Sequence, residues 1–151
     1  MVTYLPSSDT TTITVLTAEV GTTLSISAPV EVIQGVSFDT FGVLQRIDTN
    51  AALDGETIEL WVDGIFIDSM VTKYIGTPAG PQNGAYLFTH IIADTGPHTL
   101  EARFLGSERP GLVLGPSQTT KGLGVIMAVL QPIVAVVSAV LGAALVMLSL
   151  R

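Results

Sequence analysis

The stretch that decides the fold is Thr57-Ile-Glu-Leu-Trp-Val-Asp-Gly-Ile-Phe-Ile-Asp68. Its first half alternates apolar with polar residues, which places Ile58, Leu60 and Val62 on one face of a strand. Asp63-Gly64 then predicts a two-residue type I′ turn, because Gly adopts positive φ freely and Asp adopts it more readily than most residues. The chain returns from Ile65 as the partner strand. The stretch therefore predicts a β-hairpin with one buried face.

The same alternation extends along the chain in both directions. Stretches rich in β-branched or alternating residues, bounded by turn residues, are Thr10–Thr17, Thr22–Ser27, Val36–Ile47, Ala85–Ile92 and His98–Leu105. Gly76–Gly84 has no apolar period and is predicted to be a long loop. About seven or eight short strands predict a mainly β protein, an antiparallel β-sandwich over residues 10–115, and no soluble amphipathic helix is expected before Lys121. The predicted core includes Ile58, Leu60, Val62, Tyr86, Phe88, Leu100, Ala102 and Phe104.

Composition and charge exclude several classes of protein. The chain has 151 residues, of which 48% are hydrophobic and only 13% are charged. The 13 acidic residues outnumber the 6 basic ones, for a net charge of −7, which is the opposite of the balance in a protein that binds nucleic acid. Cysteine is absent, so disulfides, thiolate zinc sites and cysteine nucleophiles are excluded.

Charge is missing from the C-terminal part of the chain. No charged residue lies between Lys121 and Arg151, and the run Gly122–Leu150, about 29 residues, would be ~43 Å long as a helix, more than the ~30 Å hydrocarbon core of a bilayer. Pro132 is expected to bend this helix or mark its start. We therefore predict a β-domain at 1–115, a polar hinge at 116–121 and a hydrophobic membrane or assembly helix at 122–151.

Small residues repeat within this run. Ala135, Ala139 and Ala143 recur every fourth residue, with Ser138 and Gly142 beside them. On a helix these residues form a face that permits close approach of another helix, and the run has none of the aromatic residues that usually mark membrane interfaces. Two interpretations stay open: the face packs against copies of itself or another subunit, or it reflects the ordinary composition of a membrane anchor.

Residues that could carry chemistry are few. His90 and His98 lie near opposite ends of the last predicted hairpin without the spacing of a metal site, so we interpret them as ordinary strand residues. The oxygen-bearing cluster Asp48, Asn50, Asp54 and Glu56 lacks the central glycine and distal glutamate of a calcium loop, and is interpreted as an acidic turn, with calcium binding left open. No nucleophile, phosphate-loop or dinucleotide motif is found. We expect no enzyme activity, no cofactor and no metal.

Trp61 is the one candidate contact residue in the β part. It falls on the strand face opposite Ile58, Leu60 and Val62. Because that face is not the predicted core, the indole is expected either to pack against a neighbouring side chain or to be exposed at a contact with another molecule.

Two stretches resemble bacterial and archaeal Ig-like modules of the invasin type. In Asp48–Gly64 an acidic turn leads through a Leu-x-Gly corner at Leu53-Asp-Gly55 to an alternating strand that closes on Val62-Asp-Gly64. Gly84–Phe88 followed by Gly96–Phe104 is similar to the end of the same module. The resemblance covers roughly Thr22–Leu114 and implies an Ig-like sandwich. It implies little about function, because such modules serve as spacers, adhesins and capsid decorations.

Two non-enzymatic functions follow. In the first, the chain is a virion subunit, a minor capsid or membrane-associated protein whose Ig-like domain is held in an internal membrane or shell by the C-terminal helix. In the second, it is a cell-surface or filament subunit, pilus-like or adhesin-like, displayed by the same helix. A C-terminal anchor without an N-terminal signal favours the virion. The expected partners are a lipid membrane, neighbouring helices of a homo-oligomer or larger protein shell, or both, with no nucleic acid.

Overall fold

The computed structural model describes residues 2–3, 10–14 and 17–129. Within these residues the chain forms twelve β-strands and no helix, so the mainly β prediction is confirmed. No helix in this part of the chain is long and apolar enough to cross a membrane. The strands are β1 (Glu19–Val20), β2 (Thr22–Leu24), β3 (Glu31–Ile33), β4 (Phe38–Arg46), β5 (Thr57–Val62), β6 (Ile65–Val71), β7 (Lys73–Thr77), β8 (Gly80–His90), β9 (Gly96–Phe104), β10 (Ser107–Arg109), β11 (Leu112–Leu114) and β12 (Ser117–Ile126).

Two larger sheets and one small sheet contain all of these strands. The five-stranded sheet has the order β3-β12-β9-β5-β6, and the four-stranded sheet has the order β2-β4-β8-β7. The chain passes from the five-stranded sheet to the four-stranded sheet at Thr72, the single residue between β6 and β7. The small sheet has the order β1-β11-β10. Neighbouring strands are antiparallel except for the β3–β12 and β1–β11 pairs, which are parallel.

The predicted core is confirmed. All eight predicted residues are buried, and the most exposed of them, Val62, has only 8% of its surface accessible. The buried side chains form two clusters, one that includes Leu44, Leu60 and Tyr86 and one that includes Leu100 and Leu123. The period-two pattern therefore located the inner faces of the central strands.

The hairpin predicted at 57–68 also forms, as strands β5 and β6. Val62 pairs with Ile65 across the turn, and the two turn residues both have positive φ, 50° at Asp63 and 79° at Gly64. These are the conformations of a type I′ turn.

The predicted hinge at 116–121 is wrong, and so is the start of the predicted helix at Gly122. Residues 117–126 form β12, which pairs with β9 at nine positions from Ser117↔Phe104 to Val125↔Gly96. The side chains of Leu123 and Val125 are buried, because this segment alternates as a strand within the hydrophobic run. The β-domain therefore extends to Ile126 rather than ending at residue 115.

Two further strand predictions need correction. The predicted loop Gly76–Gly84 belongs to the β7–β8 hairpin, whose last pair is Thr77↔Gly80. Its apolar period is weak because β7 is an edge strand with mostly exposed side chains. The predicted strand Thr10–Thr17 is not formed in its described residues, 10–14 and 17.

A contact between the two strands β4 and β8 requires a glycine. Tyr86 pairs with Gly42, and its buried hydroxyl donates a hydrogen bond to the Ser25 carbonyl at 2.5 Å. A Cβ atom on Gly42 would lie 2.0 Å from that carbonyl oxygen and 2.7 Å from the tyrosine hydroxyl. Only glycine leaves room for this hydrogen bond.

We predict that Gly42→Ala destabilises the domain by about 1–3 kcal/mol or more, since the added methyl group must displace backbone as well as the tyrosine. The matched control is Gly122→Ala, where a Cβ would meet no heavy atom within 4 Å. Urea unfolding followed by fluorescence of the single tryptophan measures both. Equal midpoints for the two variants would contradict the packing described at Gly42.

Candidate functional site

Trp61 lies on the outer face of the five-stranded sheet, half-buried among its own neighbours. The Arg103 guanidinium lies 4.1 Å from the centre of the indole ring, and the Phe66 ring meets the indole edge-on at 5.7 Å. The indole Nε1 donates a hydrogen bond to Glu59 Oε2 at 2.9 Å. The indole thus packs against residues from three adjacent strands, β9, β5 and β6.

Arg103 is held over the indole by a second carboxylate. Its Nε and one terminal nitrogen donate hydrogen bonds to Glu101 at 2.9 and 2.8 Å. These charge-assisted bonds lower the pKa of Glu101. The cation–π contact stabilises an exposed site by about 0.5–1 kcal/mol. The cluster leaves Phe66 49% exposed, so the phenyl ring rather than the indole is the apolar group this face offers to solvent.

His98, which contacts the turn of the β5–β6 hairpin, is held between two oxygen acceptors. Its Nδ1 lies 2.6 Å from Asp63 Oδ2, and its Nε2 lies 3.0 Å from the Asp94 carbonyl oxygen. The hydrogen bond with the Asp63 carboxylate raises the pKa of His98. The Thr99 backbone N–H, and then His98, lower the pKa of Asp63. This pair fixes the β5–β6 turn against the start of β9.

The other histidine, His90, has the opposite environment. Its Nε2 hydrogen-bonds with the buried Thr40 hydroxyl at 2.8 Å, and its ring packs against Phe38 at 4.2 Å. Burial lowers the pKa of His90, with Asp39 opposing the change. Both histidines therefore have structural partners within the protein.

We predict that the pKa values of the two imidazoles lie on opposite sides of the ordinary value of about 6.5. The pKa of His98 lies above it and the pKa of His90 below it. The raised pKa of His98 means that its contribution to stability is present below about pH 6.5 and is lost as the pH rises through its folded value. The lowered pKa of Asp63 means that its contribution is present above about pH 3.9 and is lost as the pH falls through its folded value. The pair therefore stabilises the fold most between those limits.

An NMR pH titration of the two imidazole Cε1–H resonances measures both values in one sample. His98→Gln assigns the resonances and should leave the midpoint of His90 unchanged. Coincident midpoints for the two histidines would contradict the geometry.

The predicted acidic cluster does not converge on a common centre. Asp48 pairs with Arg46 at 2.6 Å, and Asp54 Oδ1 accepts a hydrogen bond from the Gly84 N–H at 2.5 Å. Asn50 is a turn residue with a φ of 56°. Among the residues that the structure describes, no three His, Cys, Asp or Glu side chains are grouped to hold a metal ion.

Glu56, the last member of that cluster, forms an ion pair that the local sequence pattern did not indicate. Glu56 is 3% exposed and pairs with the half-exposed Arg109 of β10, while Arg109 also donates a hydrogen bond to the Asp54 carbonyl at 3.1 Å. Thr72, at the crossing between the sheets, donates to the Leu53 carbonyl at 2.5 Å and accepts from the Glu56 N–H at 3.0 Å. Glu56 and Arg109 border an open cavity of about 420 Å³. Together with Thr72 they stabilise the corner where the sheets meet.

The predicted helix-packing face, Ala135, Ser138, Ala139, Gly142 and Ala143, lies outside the described residues, as does Pro132. Its role therefore stays a prediction.

No protein-family model matches the chain, and no curated protein matches it. Among solved structures, it is similar to the CARDB domain of a protein from Pyrococcus furiosus, with a TM-score of 0.51 and 12% identity over 70% of this chain and 94% of that one. A crystal structure of that CARDB domain in complex with di-metal ions gives a TM-score of 0.46 at 12% identity, covering 70% and 93% of the two chains. The PKD domain of an M14-like peptidase from a Thermoplasmatales archaeon gives 0.43 at 13% identity, covering 73% and 98%. The first likeness shows the fold alone, an Ig-like β-sandwich.

Proposed function

We propose that the chain is a non-catalytic structural subunit whose Ig-like sandwich is held at a membrane or within a protein shell by its C-terminal apolar run. The observation that supports this most strongly is the position of β12. It ends at Ile126 with β9 on one side and β3 on the other, and the uncharged run continues directly from Met127 to Leu150.

The run remains long enough to be an anchor after the correction to its start. From Met127 to Leu150 it has about 24 residues, or ~36 Å as a helix, compared with a ~30 Å hydrocarbon core. Because β12 replaces the expected hinge, the sandwich is joined to the run by a strand fixed in the sheet. Such a connection would present the domain at a defined orientation.

The proposal also includes the kind of particle to which the subunit belongs. We propose a virion subunit, with the invasin-type module as its outer part and the small-residue face around Ala139 packing against neighbouring helices. A cell-surface or filament subunit would use the same anchor. Mass spectrometry of the mature N-terminus, in particles purified from the source, distinguishes these settings: a processed leader would support the cell surface.

We predict that Val140→Arg abolishes membrane association of the full chain, because a charge near the centre of a spanning helix costs about 2.5–3.5 kcal/mol on insertion scales. The matched control is Ile47→Arg, which adds the same charge at a position of the sandwich that is 62% exposed. Flotation with phosphatidylcholine vesicles measures the association. Equal flotation of both variants would contradict the proposed anchor.

A further inference from the structure

We propose that the folded sandwich itself touches the bilayer, through a surface we call the apolar end. This inference rests on the proposed membrane anchor and adds a lipid-contact surface on the Ig-like domain. The apolar end is defined by six exposed side chains: Ile33, Val36, Ile65, Ile67, Ile91 and Ile126.

Backbone contacts place one half of this set together. Ile126 pairs with Ile33 at the ends of β12 and β3. The Gln34 N–H then donates a hydrogen bond to the Ile126 carbonyl at 2.8 Å, and the Gly35 N–H donates to the Ile92 carbonyl at 3.1 Å. The turn that carries Val36 is therefore fixed between the end of β12 and the segment that follows β8.

The other half lines a shallow cleft next to that segment. Ile65 and Ile67 of β6 and Ile91 border a cavity of about 210 Å³ whose floor includes Val62 and Ile92. The Val36 turn and the cleft therefore adjoin the same backbone segment, residues 91–92.

The exposure of these side chains is large. Ile65 is 67% exposed, Ile91 59% and Val36 52%, while the remaining three lie between 41% and 44%. Single exposed apolar residues are ordinary, but a contiguous group of large ones marks a contact surface. The opposite end of the sandwich differs in its charge, because the ion pairs Arg46–Asp48 and Glu56–Arg109 lie there beside the exposed Ile47 and Leu105.

The place where the chain leaves the domain indicates that a bilayer is what contacts the apolar end. Met127 and Val129, 63% and 76% exposed, continue directly from this end, and the uncharged run extends to Leu150. Three residues span at most ~10 Å, so a run that begins here and enters a bilayer brings the apolar end to the bilayer surface. The apolar faces of interfacial helices bury ~5–10 Å into this layer, and we expect the apolar end to enter it in the same way.

Charge at this end argues for a contact made by apolar burial rather than by attraction to anionic lipids. Asp63 and Asp94 flank the cleft, and Asp63 is already paired with His98. Of the described basic residues, Arg46, Lys73, Arg103 and Arg109 lie on strands toward the other end, and Lys121 lies in the middle of β12, where it pairs with Leu100. Neutral phosphatidylcholine is therefore the lipid surface that the apolar end fits.

The test uses the absence of cysteine, which makes every introduced thiol unique. The full chain is reconstituted in phosphatidylcholine vesicles with a nitroxide label at Ile91→Cys, or at Ile65→Cys as a second position. Ile47→Cys, at the charged end with 62% exposure against 59% for Ile91, is the matched control, and Val140→Cys reports on the anchor. Electron paramagnetic resonance then measures collisions with oxygen, which enters lipid, and with a water-soluble nickel chelate.

We expect the labels at 91 and 65 to lose nickel collisions severalfold and gain oxygen collisions on reconstitution, while the label at 47 does not change. A lipid-embedded label at 140 together with labels at 91 and 65 that match the label at 47 would overturn the inference and leave the anchor intact. A label at 140 accessible to nickel would overturn both. Nickel protection at 91 and 65 that depends on the protein-to-lipid ratio, without a gain in oxygen collisions, would overturn the lipid contact in favour of a second copy.

Discussion

Nine residue pairs join β12 to β9. This ladder holds the side chains of β12 in the core, and it fixes the place where the chain leaves the sandwich. β12 supplies Leu123 and Val125 to the cluster that contains Phe38, Val62, Ile92 and Leu100. Burying each such side chain contributes about 1.5–3 kcal/mol. Without β12, β9 would lose its partner on one side, and β3 would lose the strand with which it pairs. The last strand is therefore an interior element of the sheet rather than a connector.

The two core clusters correspond to two chemically different ends of the sandwich. The cluster around Leu44, Leu53 and Leu114 lies toward the end with the Glu56–Arg109 ion pair. The cluster around Leu100 and Val125 lies toward the apolar end. Because β12 runs from the first end to the second, the hydrophobic run begins on the side that has the exposed isoleucines. Under the proposed membrane anchor, these two different ends would suit the sandwich to a fixed orientation at a lipid surface.

The local sequence pattern was sufficient to predict structure where a strand has one buried face and is followed by a distinctive turn. This is why Asp63-Gly64 and the eight core residues were predicted correctly. The pattern was hidden in 122–126, where Gly122 and Gly124 alternate with Leu123 and Val125 inside a longer hydrophobic run, so that hydropathy favoured a helix over a strand. In 76–84 the hairpin has too little buried surface to impose a period.

The side-chain clusters could not be predicted from the sequence for a different reason. Arg103 stacks on Trp61 and Arg109 pairs with Glu56, and each pair joins residues far apart along the chain. Such contacts depend on the register of the strands, which no local spacing specifies. The alternation of β5 predicted Trp61 on the outer face, but no local spacing indicated the arginine that covers it. The acidic residues at 48–56 likewise looked like one cluster, because Asp54 and Glu56 have partners that are distant in sequence, Gly84 and Arg109.

The most direct test of this account is hydrogen exchange, measured by mass spectrometry on peptides of the full chain reconstituted in vesicles. If β12 is an interior strand, peptides covering 117–126 exchange as slowly as those covering 96–104, since both require opening of the same ladder. Peptides covering residues 10–14, which form no strand, give the fast reference. Exchange in 117–126 as fast as in that reference would show a hinge in place of β12 and would contradict the account.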